Sequence, residues 1–324
     1  MYHFFNIESP LQLMSAISAA KKFGDKENVL LVNLSKGTRK NNDAQIMALI
    51  DYDFWSEVIV QKKSSGFIKD FVTAFRMLSL KKKYKGKVDK YFFGEYRNFN
   101  MALISGFIEP KERILLDDGS FTITAQNYFI KNNRFPYSNS LKNKLFKTFL
   151  TGNTRPNLYS FFKLELIDNQ INYYDFPPRQ FIAVNDKEAF FFGSKFSESK
   201  NMSLEDELEI LKKTIELYSD YVFFYIPHRD EGRDKLERIM ELGYSLKNLG
   251  KPAEIFFDET DVMPELVVSY YSTTLYTCYI RFENIKILSV NVEEKLLKTN
   301  SRISAGEIYN YYEALGIDTL SFKI

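Results

Sequence analysis

Apolar and polar positions fall into alternating blocks along this chain. Tyr2 to Ile7 is a short apolar run, Pro10 stands where a first helical turn accepts proline, Leu11 to Lys22 has helical spacing, and Asn28 to Asn33 is apolar again. The pattern predicts β-α-β at the start. It continues with a helix at Ile46 to Tyr52, a strand at Glu57 to Val60, a helix at Gly66 to Leu80, a strand at Lys90 to Phe93, a helix at Asn98 to Ile108 and a strand at Arg113 to Leu116. Short apolar runs alternating with amphipathic helices imply a parallel sheet.

The double proline in Tyr174-Asp175-Phe176-Pro177-Pro178-Arg179 can continue neither a helix nor a central strand, so it marks a boundary between residues 1–175 and 176–324. Beyond it the alternation restarts with a strand at Glu188 to Phe192 and a helix at Leu204 to Ser219, entered through Ser203 with Asp206 three residues on. A strand at Tyr221 to Ile226, a helix at Asp234 to Leu242, a strand at Ala253 to Phe257, a helix around Met263 to Tyr271 and strands at Tyr276 to Phe282 and Lys286 to Val290 complete the reading. The fold class expected is α/β, with two doubly wound domains facing a central cleft. No internal repeat is visible.

Composition narrows the picture. A chain of 324 residues, 45% hydrophobic and 27% charged, exceeds one typical core and is too apolar to be disordered. Forty-four basic residues against 42 acidic ones leave no polyanion footprint, so nucleic acid is not an expected partner. The one cysteine, Cys278, allows no internal disulfide and fits a reducing, cytoplasmic compartment; two histidines, His3 and His228, cannot build a zinc site unaided. The opening MYHFFNIESPLQL lacks the organisation of a signal peptide and reads as a first strand. The longest uncharged run, Leu266 to Ile280, is 15 residues, short of the roughly 20 that a membrane span needs.

Four segments carry chemistry-bearing residues. Ile114-Leu115-Leu116 runs into Asp117-Asp118-Gly119-Ser120, and the carboxyl ends of parallel strands face the ligand crevice. Adjacent carboxylates raise each other's proton affinity, which suits one of them to act as a base; the alternative is an ordinary Asp-Gly turn. Pro227-His228-Arg229 follows another apolar strand and offers donors to a phosphate, or else is a surface loop whose Arg pairs with Asp230 or Glu231. Ser272 and Thr273, with Thr274, form a hydroxyl cluster that grips phosphate oxygens or simply caps a turn. Phe192-Gly193-Ser194 places a glycine at a strand end, where a nucleotide can approach the backbone or the chain can merely turn.

In order along the chain, Glu8-Ser9-Pro10-Leu11-Gln12, Asp117-Asp118-Gly119-Ser120, Phe192-Gly193-Ser194, Pro227-His228-Arg229 and Ser272-Thr273 resemble the landmarks of the bacterial lipooligosaccharide and capsule sialyltransferases of glycosyltransferase family 52. The His-Pro dipeptide usual in related sialyltransferases is absent, since Arg229 follows His228. The resemblance implies a GT-B fold of two Rossmann-like domains and inverting transfer of sialic acid from CMP-sialic acid to a galactoside of a bacterial surface glycan. It implies no cofactor and no metal. Asp118 would be the base, tuned or oriented by Asp117; His228 would meet the departing phosphate; Gly193, Ser194, Pro227, Arg229, Ser272 and Thr273 would bind the donor; Ser9, Pro10, Gln12, Gly119 and Ser120 would line the acceptor side. A transferase for another CMP-activated sugar, pseudaminic acid or Kdo, and a non-catalytic nucleotide- or glycan-binding protein are the competing readings.

The implied partners are therefore a CMP-sugar donor and a glycan or glycolipid acceptor, with a homodimer compatible. Between Lys62 and Lys90 lie nine Lys and one Arg against two Asp, and Leu141 to Leu150 mixes five apolar anchors with three lysines. Such faces either lie against anionic lipid at the inner side of the plasma membrane or are solvated helix surface. The amphipathic tail, Ser304 to Ile324, is expected to pack back onto the N-terminal domain.

Overall fold

The computed structural model describes residues 1–35, 40–62, 69–137, 147–152 and 154–322. The chain forms two compact units, Met1–Asp175 and Phe176–Ile324.

In the first unit β1 (Tyr2–Ile7), β2 (Glu27–Leu34), β3 (Glu57–Lys62), β4 (Val88–Phe93), β5 (Glu112–Leu116) and β6 (Asn157–Tyr159) form one sheet in the order β3-β2-β1-β4-β5-β6. All its pairings are parallel. The connecting helices are α1 (Pro10–Lys22), α2 (Lys40–Leu49), α3 (Lys69–Tyr84), α4 (Phe99–Ile108), the single turn α5 (Phe121–Thr124), which runs on as a π-helical stretch to Ile130, and α6 (Lys147–Thr151). β1 is buried almost throughout, as a strand covered by helices on both faces must be. Phe4 and Tyr91 pack into one layer of core, while Phe5, Phe92 and the chain's only tryptophan, Trp55, pack into the other.

The second unit repeats this topology without repeating the sequence. β7 (Ala183–Phe192), β8 (Val222–Ile226), β9 (Ser245–Leu246), β10 (Val262–Ser269), β11 (Lys286–Asn291) and β12 (Asp318–Ser321) order as β12-β11-β10-β7-β8-β9, again parallel throughout. Read from the first strand of each unit, both sheets have the doubly wound order 3-2-1-4-5-6. Helices α7 (Leu204–Leu217), α8 (Arg233–Glu241), α9 (Ala253–Glu259), α10 (Thr273–Arg281) and α11 (Thr299–Ala314) connect the strands.

Between residues 253 and 282 the structure reverses the element types expected from sequence. Ala253–Glu259 is a helix entered after Pro252, Val262–Ser269 is a strand, and Thr273–Arg281 is a helix. Val262–Ser269 combines Met and Leu with a Glu, which mimics helical spacing, yet all but two of its eight residues are buried, and Pro264 lies at an irregularity in the pairing. Thr273–Arg281 is rich in β-branched and aromatic residues, but Ser272 caps it and its apolar face packs against β10 and β11, so tertiary packing overrides propensity. The tail is used inside its own unit: α11 packs on β11 and β12, and β12 extends the sheet.

Of the basic stretches, residues 63–68 and 141–146 lie outside the described residues. In α3, Lys83 pairs with Glu57, and just beyond it Lys85 pairs with Glu109, while Phe75 and Leu78 are exposed. No helix among the described residues is long and apolar enough to cross a membrane.

Candidate functional site

The first cluster lies at the carboxyl edge of the first sheet, where β1, β4 and β5 are neighbours and the strand order reverses between β1 and β4. Ser9 caps α1 by accepting from the Gln12 amide at 3.3 Å, and Pro10 is the first helical residue. Capping fixes the first turn, and that aims the buried Gln12 side chain. Its Oε1 accepts from the Glu8 amide at 2.7 Å, leaving Nε2 to donate to Asp118 Oδ1 at 2.6 Å. Gly94, at the end of β4, makes room for this arrangement, since a Cβ there would stand 2.2 Å from the Gln12 side chain.

Asp117 and Asp118 do not act as a pair. Successive side chains of an extended chain point apart, and Asp117 turns into the protein, accepting from Ser160 Oγ at 2.5 Å and from the Phe161 amide at 2.9 Å. Burial lifts its pKa to about 7 against those hydrogen bonds. Its role is to fasten the segment after β6. The partly exposed Asp118 carboxyl is also held well above the usual carboxylate range, by burial first and then by the negative charge of Glu95, opposed by the Gln12 hydrogen bond and by Arg97. Beyond burial, the negative charge that raises it is that of Glu95, with Glu8 behind it, rather than that of the adjacent Asp117. Arg97 grips Glu95 through two bonds of 3.0 Å and lies 3.5 Å over the Phe121 ring. Gly119 takes a φ of +63°, which turns the chain toward Ser120 and α5, and the Asp118 amide donates to Thr122 Oγ1 at 2.9 Å.

The second cluster lies at the carboxyl edge of the second sheet. There β10, β7 and β8 are consecutive, so the segments Ser272-Thr273, Gly193-Ser194 and Pro227-His228-Arg229 leave three adjacent strand ends. The reversal of element types strengthens the first of them. Ser272 is the N-cap of α10, its Oγ accepting from the Thr274 amide at 3.2 Å, and Thr273 is the first helical residue. The positive end of a nine-residue helix therefore faces the same edge. Tyr312 on α11 donates to the Ser272 carbonyl at 2.8 Å, and Ser269 donates to the Phe192 carbonyl at 2.8 Å, tying β10 to β7.

Pro227 carries the chain out of β8 into a tight loop. The Asp230 amide donates to His228 Nδ1 at 3.1 Å, which leaves the imidazole proton on Nε2. Burial, with Lys195 and Arg229 nearby, pulls the His228 pKa down to about 4, so the ring is neutral at neutral pH. Lys195 pairs with Asp230 at 2.9 Å.

Beneath these loops lies a charge cluster that sequence reasoning missed. Lys235 Nζ donates to the Ser194 carbonyl at 2.7 Å, to Glu207 Oε1 at 2.6 Å and to Glu231 Oε1 at 2.6 Å. Glu231 Oε2 accepts from the His228 amide at 2.6 Å, and Tyr225 donates to Oε1 at 2.7 Å. Burial raises the pKa of Glu207 to about 7 and that of Glu231 in the same direction, both opposed by Lys235. The only signal in the sequence was the i,i+4 pair Glu231 and Lys235 beside a motif; nothing local pointed to Glu207. Among the described residues no group of three His, Cys, Asp or Glu side chains is placed to hold a metal ion.

Two doubly wound units of this kind are the architecture of GT-B glycosyltransferases, and the solved structures agree. The chain resembles MurG of Acinetobacter baumannii with a TM-score of 0.53 at 7% identity, over 99% of this chain and 86% of that one. It resembles UGT2 of Phytolacca americana with a TM-score of 0.55 at 10% identity, over 100% and 85%. The α/β-galactoside α-2,3-sialyltransferase of Photobacterium phosphoreum aligns with a TM-score of 0.51 at 13% identity, over 99% of this chain and 98% of that one. The fold is therefore GT-B, as the motifs led us to expect. The model of the alpha-2,8-polysialyltransferase family matches residues 82–291, and the chain belongs to that family. It is a glycosyltransferase of sialyltransferase type, which bears out the resemblance drawn from the motifs. No curated protein matches its sequence.

Proposed function

We propose that the protein transfers sialic acid from CMP-sialic acid to the terminal galactoside of a bacterial surface glycan, by a single inverting displacement that needs no metal. The observation that carries this reading is that one family match, residues 82–291, contains Asp118 together with all three loops of the second sheet edge.

The acceptor hydroxyl gives its proton to Asp118 as its oxygen bonds the anomeric carbon; the bond from that carbon to the phosphate oxygen breaks, and CMP leaves with the electron pair. A carboxylate whose proton affinity is raised is a stronger base than an ordinary one, and the raised pKa of Asp118 supports this role. Gln12 orients it. On the donor, charge grows on a single phosphate. His228 donates through Nε2–H, and the arriving phosphate charge raises its pKa and favours a proton on the ring. The positive end of α10 faces the same oxygens, and the Ser272 and Thr273 hydroxyls donate to them. One phosphate offers no diphosphate for a metal to bridge. Pseudaminic acid or Kdo as the transferred sugar is compatible with the same parts.

The family's name supports a second acceptor reading, a sialoside extended by an α-2,8 linkage. The experiment is to incubate the purified protein, with EDTA present, with CMP-sialic acid and parallel galactoside and sialoside acceptors, following CMP release and product mass. Acceptor-dependent release with a sialylated product is expected. An absence of CMP binding overturns the reading, and turnover on sialosides alone replaces the acceptor.

A further inference from the structure

We propose that Lys235 is a positioning residue that clamps the loop after β7 to the loop after β8, so that Gly193-Ser194 and His228 reach one donor phosphate together. The inference rests on the donor role given above to this edge.

The bridge is continuous. Lys235 Nζ holds the Ser194 carbonyl at 2.7 Å and Glu231 Oε1 at 2.6 Å, and Glu231 Oε2 holds the His228 amide at 2.6 Å. Each loop is thus fixed by its backbone to one buried ion pair. Two features separate this clamp from an ordinary stabilising pair. The first is that it acts on main-chain atoms of both loops from beneath, where the other links between them, the Gly193 amide to the Ile226 carbonyl, Lys195 to Asp230 and the Gly232 amide to Glu198, each 2.9 Å, hold a backbone atom of at most one loop beyond its strand. The second is Gly193: a Cβ there would stand 2.3 Å from Tyr225 Oη and 2.6 Å from Glu231 Oε2, so the loop after β7 lies directly on the clamp. Glu207 is a second carboxylate on the same ammonium that touches neither loop, and Glu198 stands 3.6 Å from Lys235 Nζ. Glu207 Oε1 accepts from Lys235 at 2.6 Å, and its Oε2 is buried with no hydrogen-bond partner among the described residues. An ammonium between two carboxylates in a site closed to water gives strong, directional hydrogen bonds, which suits holding backbone to fractions of an ångström.

The test measures CMP affinity by calorimetry, below the unfolding temperature, for the full-length protein, Lys235→Met, and a control, Leu211→Ala, that opens the same unit's core away from the loops. Lys235→Met is expected to bind CMP at least about tenfold more weakly, while Leu211→Ala loses thermal midpoint but keeps CMP affinity within about twofold. If Lys235→Met does not fold, Glu231→Gln is measured the same way, with the same expectation. CMP affinity retained in the folded Lys235 or Glu231 variant, or lost equally in Leu211→Ala, overturns the clamp. No CMP binding by the unaltered protein overturns the donor reading, and the clamp with it.

Discussion

The two units share one strand order and differ in what they place at its carboxyl edge. The first edge gathers carboxyl groups, with Asp118, Glu95 and Glu8 against the single Arg97, and raises the proton affinity of Asp118. The second gathers donors: a capped helix start at Ser272, a neutral imidazole at His228, and Lys195 beside it. In the proposed reaction one topology would serve both ends, and the loops would decide which end each sheet serves. Even the glycines correspond. Gly94 clears space for Gln12, which holds Asp118, and Gly193 clears space for Tyr225 and Glu231, which hold the second edge.

That division can be broken at either end. The largest effect is expected for Asp118→Asn, which keeps the shape but removes the base: turnover should fall roughly 10²–10⁴-fold, with CMP affinity by calorimetry unchanged. Loss of CMP affinity instead would show that the edges do not divide the labour. Next come the glycines. Gly94→Ala should displace Gln12 and lower turnover about tenfold with CMP binding retained, whereas Gly193→Ala should weaken CMP binding about tenfold, on the order of the 1–3 kcal/mol of an overpacked site. Steady-state kinetics beside calorimetry reads both. Ser272→Ala removes a cap worth about 1 kcal/mol and should lower the thermal midpoint modestly and CMP affinity a few-fold, while leaving the acceptor KM unmoved.

The smallest effect is a pair of opposed pH slopes in stability. Asp117 ionises near 3.8 when unfolded and at about 7 when folded, so its contribution is present below 3.8 and is lost as pH rises through 7. His228 moves from 6.5 down to about 4, so its contribution is present above 6.5 and is lost as pH falls through 4. Glu207, in the second unit, has the sign of Asp117, so the comparison is made by substitution. Asp117→Asn should flatten the thermal midpoint between pH 4 and 7, and His228→Gln between pH 6.5 and 4; the same slope change from both would refute the assignment.

Much of the fold was legible because its determinants are local. β1-α1-β2 could be read from spacing, and the Ser9 cap from the residues around it. The segment 253–282 was not, because a half-exposed helix, a buried strand and a buried helix carry similar apolar residues, and only its pairing with β7 and β11 marks Val262–Ser269 as the strand. The site divides the same way. Strand-end motifs marked Asp118, His228 and Ser272, but the partners that set their chemistry come from elsewhere: Gln12 is 106 residues from Asp118, and Ser160 is 43 from Asp117. Lys235 reaches Glu207 across 28 residues. No spacing rule links such pairs; strand order does.

The chain's single tryptophan and single cysteine fall one to each unit, both sealed in a core. Trp55 is 4% exposed in the first, and Cys278 is 0% exposed in the second, its thiol pushed far from the reactive range by burial. Each unit thus carries its own built-in reporter: indole fluorescence follows the opening of one, and thiol labelling follows the opening of the other. The unaltered protein can therefore show whether its two halves melt together or in turn, and which of them CMP protects.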